Sequence, residues 1–177
     1  MGQYYIAVIL GEDGKYVRTW LQSYGYNSGS KLTEHSYINN PFVSAVEHMI
    51  GPNGMLYKSR LVWAGDYAEN EEGTQNNIYT LMTDTNDTSK LSQGSAPTGV
   101  TYRFIVNHTK KLYIDKNSLK TDIHPLPLLV SEGNGRGGGD YKGVDDDICG
   151  SWARDLMSVE NTEPSSDSYT EFKCNFA

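Results

Sequence analysis

Two runs rich in Tyr, Val, Ile and Trp, residues 3–10 and 15–21, are separated by the turn signal Glu12-Asp13-Gly14. Strands joined by so short a connection must lie side by side and antiparallel, so the spacing predicts an N-terminal β-hairpin. Tyr102-Arg-Phe-Ile-Val106 and Lys111-Leu-Tyr-Ile114, flanking Asn107-His-Thr-Lys110, predict a second hairpin by the same logic. Ser59-Arg-Leu-Val-Trp-Ala64 reads as a strand that delivers Gly65-Asp66-Tyr67 to its end. Trp152 to Glu160 and Tyr169 to Phe176 read as two more strands. The last of these alternates Phe172, Cys174 and Phe176 onto one face, which makes Cys174 a core residue rather than a nucleophile. Leu126 to Val130 carries Pro125 and Pro127 at its start, and proline cannot donate to a ladder, so an edge or irregular strand is expected there.

One helix is written with unusual clarity. Asn40 caps it, Pro41 occupies its first turn, Phe42, Val46, Met49 and Ile50 share a face, and Gly51-Pro52 stops it. Such a face should cover one side of a sheet. Asn76 to Met82 fits strand or helix equally, and Ser23 to Ser30 and Glu69 to Gly73 read as loops, the latter acidic. Asp84 to Gly99 is rich in Thr, Ser, Asn, Asp and Gly without periodicity, which predicts a long flexible surface loop. With 177 residues the chain can bury a continuous core without disulfides or metal. The expected architecture is therefore α+β: a single domain over 1–177, mostly antiparallel sheet with one or two helices.

The formal net charge of −7 disfavours duplex nucleic acid and anionic membrane surfaces as partners. It leaves room for a small anionic or nucleotide-like molecule, because a pocket's field comes from a few local groups. The apolar stretch before Gly11 has no basic flank and is cut short by Gly11-Glu-Asp-Gly14, so it reads as a strand, not a signal peptide. Met1-Gly2 lacks the Ser or Thr that a myristoylation signal needs. Cys149 and Cys174 form no Cys-x-x-Cys pair, which points to a reducing, cytoplasmic setting. The glycosylation patterns at Asn86 and Asn107 carry no weight without export.

The concentrated ligand-binding signal is Gly133-Asn-Gly-Arg-Gly-Gly-Gly-Asp-Tyr141. Gly133, Gly135 and Gly138 satisfy G-x-G-x-x-G, but Asp140 to Asp147 has no helical period, so no helix N-terminus would face a pyrophosphate. No Gly-Lys-Ser/Thr closes a Walker loop either. What remains are glycines, Gly137, Gly138 and Gly139 among them, that permit positive φ and close backbone approach, so that N–H groups can converge on an anion. Asn134 lies among them, Arg136 would clamp phosphate or carboxylate, and Asp140 would take ribose hydroxyls. The competing reading is a self-packed loop in which Arg136 and Asp140 pair with each other. Glu34-His35, Asp66 and Asp145-Asp-Asp147 are potential cation ligands at spacings that match no metal motif; a solvated acidic surface explains the Asp triplet, and no metal site is expected. His35 and His124 read more simply as structural histidines. Ser151 is not in a G-x-S-x-G elbow. Trp152 beside Arg154 would suit stacking of a base, or else be a core tryptophan next to a surface arginine.

These motifs, together with Met1-Gly-Gln-Tyr-Tyr5, Lys31-Leu-Thr-Glu-His-Ser36, Trp63-Ala-Gly-Asp-Tyr-Ala68, Val106-Asn-His-Thr109 with Tyr113-Ile-Asp115, His124-Pro-Leu-Pro-Leu-Leu129 and Gly150-Ser-Trp152, resemble a family of uncharacterised proteins of bacteria and their phages. The resemblance spans most of the chain, departs at Asp84 to Gly99, and implies a grouping rather than an activity. Each polar motif follows or ends a predicted strand, so Glu34, His35, Asp66, Tyr67, the Gly-rich segment 133–141 and Trp152 are expected to converge on one pocket. The function expected is binding, as in sequestration, of a small phosphorylated or nucleotide-like ligand: Arg136 and loop N–H groups on phosphate, Asp140 or Asp66 on ribose, Tyr67, Tyr141 or Trp152 on the base. The alternatives are a hydrolase or transferase using Glu34, His35, Asp66 or Asp140 as acid and base, and a protein-interaction module. The sequence names no cofactor, catalytic residue or oligomeric state.

Overall fold

The computed structural model describes residues 2–84, 94–133 and 148–174. The expected hairpin is present: β1 (Tyr5–Leu10) pairs antiparallel with β2 (Val17–Gln22). On its other side β1 pairs antiparallel with β3 (Ser59–Gly65) along its whole length. The second hairpin is β4 (Phe104–Asn107) with β5 (Leu112–Asp115). The strand expected from Trp152 begins only at Leu156, as β7 (Leu156–Glu160), and joins β3 to β4. The sheet path is β2-β1-β3-β7-β4-β5-β8, where β8 is the short Thr170–Glu171. The pairings are antiparallel except for β5 with β8 and for β6 (Ser131–Glu132), which runs parallel to the last residues of β3. This is the predicted α+β arrangement, with more helix than expected.

Alternation divides the core. Tyr5, Ala7 and Ile9 of β1 face one side with Leu61 and Trp63, while Ile6, Val8 and Leu10 face the other with Val62 and Ala64. All six residues of β1 are buried because both sides are covered. The first side is covered by α2 (Pro41–Ile50), the helix read from sequence: Asn40 Oδ1 accepts from Val43 N at 3.0 Å and Gly51 ends it. Phe42 packs against Trp63 at 5.1 Å between ring centroids, and burying such a side chain contributes roughly 1.5–3 kcal/mol. The second side receives α3 (Ile78–Thr83), which settles the ambiguous segment 76–82 as helix; Asn77 Oδ1 caps it through Thr80 N at 2.8 Å, and Ile78 enters the core.

Residues 126–130 overturn the edge-strand expectation. Leu126 to Leu129 belong to α4 (Pro125–Leu129), which Val130 ends, and Leu126, Leu128 and Leu129 are buried. His124 Nδ1 accepts from Leu126 N at 3.2 Å, and both prolines fall in the first turn, where a helix has no acceptor for its N–H groups. A missing donor therefore costs nothing there. The strand expected over 169–176 is likewise shorter: only Thr170 and Glu171 pair, while Phe172 and Cys174 still pack on the core and Phe176 lies outside the described residues.

Candidate functional site

One edge of β3 is shared by two partners, and that sharing creates the site. Ser59 and Arg60 pair with β7, whereas Trp63 and Ala64 pair with β6. Between them the chain turns through Arg154, whose φ of 65° lies in the left-handed region and whose N–H donates to Leu61 O at 2.9 Å. A non-glycine residue there is strained by about 1–2 kcal/mol, so its surroundings must hold it.

They do so through the side chain. The Arg154 guanidinium contacts Glu132 through Nε at 2.9 Å and through Nη2 at 2.8 Å, and Nη2 also meets Glu71. Nη1 donates to Gly14 O at 3.0 Å and to Glu71 at 3.2 Å. Burial alone would lower the arginine pKa; the bonds to Glu71 and Glu132 outweigh it and hold the group above its ordinary value. One guanidinium thus ties the acidic loop after β3, strand β6 and the first hairpin turn to the start of β7.

This clamp lines a cavity of about 480 Å3 with Glu69, Gly133 and Gly150. Gly133 directly precedes the segment 134–147 and Gly150 closely follows it, so both flanks of the Gly-rich region open on the same space. Against Arg154 stand Glu69, Glu71 and Glu132, which makes the described wall net acidic. Such a wall accepts hydrogen bonds from hydroxyls and amines.

The predicted site residues separate into three groups. Asn134, Arg136, Gly137, Gly138, Gly139, Asp140 and Tyr141 lie outside the described residues, as do Asp145 to Asp147. Asp66 and Tyr67 follow the end of β3, which lies parallel beside the end of β6 that leads into Gly133; a Cβ added to Gly65 would lie 2.8 Å from Glu132 O, which explains why glycine stands there. Asp66 Oδ1 accepts from Tyr4 N at 3.0 Å, and Tyr67 is half exposed. The remaining three are drawn into the framework. Glu34 accepts from Lys31 N at 2.9 Å. His35 is fully buried, with Nδ1 2.8 Å from Gly29 O and Nε2 accepting from Trp63 Nε1 at 2.9 Å, so Nδ1 carries the proton. Burial pushes its pKa down to about 4. Trp152 is buried 5.3 Å from the Phe172 ring, the core alternative to base stacking.

A larger cleft of about 660 Å3 lies beside α2. Its deepest charged groups form a closed set: buried Glu47 receives Lys116 and, at 3.1 Å, His124 Nε2. Burial would raise the Glu47 pKa, but His124 and Lys116 bring it below the usual carboxylate value, while burial lowers that of His124. With His124 Nδ1 capping α4, this set joins α2, α4 and the turn after β5 and reads as structural. Cys174 is half-buried and its thiol pKa is pushed up to about 12 by burial, which suits a core residue. Among the described residues no group of His, Cys, Asp and Glu could hold a metal ion, and no helix is long and apolar enough to cross a membrane. No family model matches the chain, and neither does a curated protein or a solved structure.

Sequence reasoning missed Glu71, Glu132 and the central place of Arg154. Their signals were present separately, an acidic loop and an Arg beside Trp152, but nothing local joined them.

Proposed function

We propose that the protein binds a small phosphorylated or nucleotide-like molecule in the cavity at the foot of the Gly-rich segment 133–141. The observation that supports this most is that Gly133, the first residue of that segment, and Gly150, which follows residues 134–147, line one cavity with the Glu71–Arg154–Glu132 clamp. In this reading the carboxylates of Glu69, Glu71 and Glu132 accept from ribose hydroxyls or base amines. Asp66 and Tyr67, at the neighbouring strand end, add a further acceptor and an aromatic face. An acidic wall repels phosphate, so the phosphate needs a cation from elsewhere; the sequence supplies Arg136. The carboxylates held by Arg154 are fixed in place by its guanidinium, which favours binding over proton transfer.

The test is calorimetric titration with AMP, ADP and ATP. Saturable binding that is lost in Arg136→Ala and weakened at least roughly ten-fold in Glu69→Gln, with the melting temperature unchanged in both, supports the reading. Equal affinity in both variants, or a loss that only tracks unfolding, removes it. Recovering the nucleotide intact after denaturing the complex supports sequestration, whereas recovering a cleaved product makes the protein a hydrolase.

A further inference from the structure

The described cations fall into two kinds. Lys15, Arg103, Lys110, Lys116, Arg154 and Lys173 each lie on a carboxylate. Arg18, Lys31, Lys58, Arg60, Lys111 and Lys120 show no such ion pair among the described residues, and three of them, Arg18, Lys58 and Arg60, line one cleft of about 530 Å3. It is bounded by the end of β1 and its turn, the start of β2, and the starts of β3 and β7. Glu12 is the one carboxylate among its lining residues, so three cations against one acid leave a local charge of +2 on a chain whose total is −7.

Arg60 is held in place without being neutralised. Arg60 Nε donates to Glu12 O and Nη1 to Arg154 O, each at 2.9 Å. Carbonyl acceptors fix the plane of a guanidinium and leave its charge intact. Lys58 sits at φ 61°, where glycine or asparagine would be unstrained and lysine is not. Between them Ser59 is buried, its Oγ donating to Leu56 O at 2.7 Å, which anchors the backbone that carries both charges. Three like charges around a concavity repel one another, and a multiply charged anion relieves that repulsion while matching the guanidinium forks.

We propose that this cleft is an oxyanion site that takes a phosphate or pyrophosphate group through Arg18, Lys58 and Arg60. It is separate from the cavity lined by Gly133 and Gly150 and stands whether or not a nucleotide binds there. The test is to titrate the full chain with inorganic phosphate, pyrophosphate and, as a carboxylate comparison, citrate, following heat and backbone amide shifts. The expected result is saturable binding of one pyrophosphate, weakened by added salt and tighter than that of citrate, with the largest shifts at residues 10–12, 18 and 58–60. The double variant Arg18→Gln/Lys58→Gly should bind pyrophosphate at least roughly ten-fold more weakly without losing thermal stability, since glycine suits that backbone position. Arg60→Gln should weaken binding as well; if it fails to fold, the double variant decides alone. Arg136→Ala, which tests the nucleotide reading, should leave pyrophosphate binding at this cleft unchanged. No saturable binding, undiminished affinity in the double variant, citrate binding as tightly as pyrophosphate, or loss of pyrophosphate binding in Arg136→Ala each overturns the proposal.

Discussion

Two arginines beside one edge of β3 stand in opposite electrical states. Arg154, whose N–H meets Leu61, is bracketed by Glu71 and Glu132; Arg60, next to the Ser59 end, is held by the carbonyls of Glu12 and Arg154. Both side chains are fixed, but a carboxylate cancels the charge it fixes and a carbonyl does not. The first arginine therefore shapes an acidic cavity suited to hydroxyls and amines, and the second, with Arg18 and Lys58, leaves a field suited to an anion. What a cationic residue can recognise thus depends on the charge of the groups that position it.

The largest effect should come from breaking the clamp. Arg154→Leu leaves Glu71 and Glu132 together without their cation, and allowing for their side-chain exposures of 20% and 31% the loss should be about 3 kcal/mol. Urea unfolding measures it, and a near-neutral result would erase the distinction between the two arginines. Acid gives the next largest effect. His35, hydrogen-bonded to Trp63 of β3, has its pKa lowered to about 4, so the unfolded chain takes up a proton near 6.5 that the folded chain refuses. The contribution of His35 is complete above that range and falls with pH, by about 2 kcal/mol at pH 5, and His35→Gln should remove that share of the slope between pH 7 and pH 5. His108, whose pKa is also lowered to about 4 by burial and then by Lys58 and Lys111, pulls in the same direction.

Smaller still is Arg60→Gln, which removes two hydrogen bonds to neutral acceptors and should cost about 1–2 kcal/mol, less than Arg154→Leu. The smallest is Lys58→Gly. Relief at φ 61° slightly exceeds the flexibility glycine adds to the unfolded chain, so the protein should gain roughly 0.5 kcal/mol while the basic cleft loses a charge. A thermal melt that drops instead would show Lys58 to be a structural contact.

Features whose causes are local were legible in the sequence. Asn40, Pro41 and Gly51-Pro52 delimit α2 with signals inside one short stretch, and the turn at Glu12–Gly14 sets the first hairpin by itself. α4 was misread because Pro125 and Pro127 are as compatible with a first helical turn as with an irregular strand; the deciding partner is His124, through a side-chain cap that composition does not reveal. Of the site, the strand ends were legible: Asp66-Tyr67 follows the end of β3, which parallel pairing sets beside the end of β6 that leads into Gly133. Trp152 and His35, written beside suggestive residues, belong to the core. The clamp could not be read, because Glu71 and Arg154 are separated by 83 positions and Glu132 and Arg154 by 22, and only the splitting of the β3 edge between β6 and β7 brings them together.

The most direct test of the account is an amide-resolved NMR titration of the whole chain with AMP. Saturable shifts centred on Glu71, Glu132, Gly133, Gly150 and Arg154, and absent in Arg136→Ala, are predicted. Shifts confined to Arg18, Lys58 and Arg60, or no saturable shift at all, would contradict a nucleotide site at the foot of the Gly-rich segment.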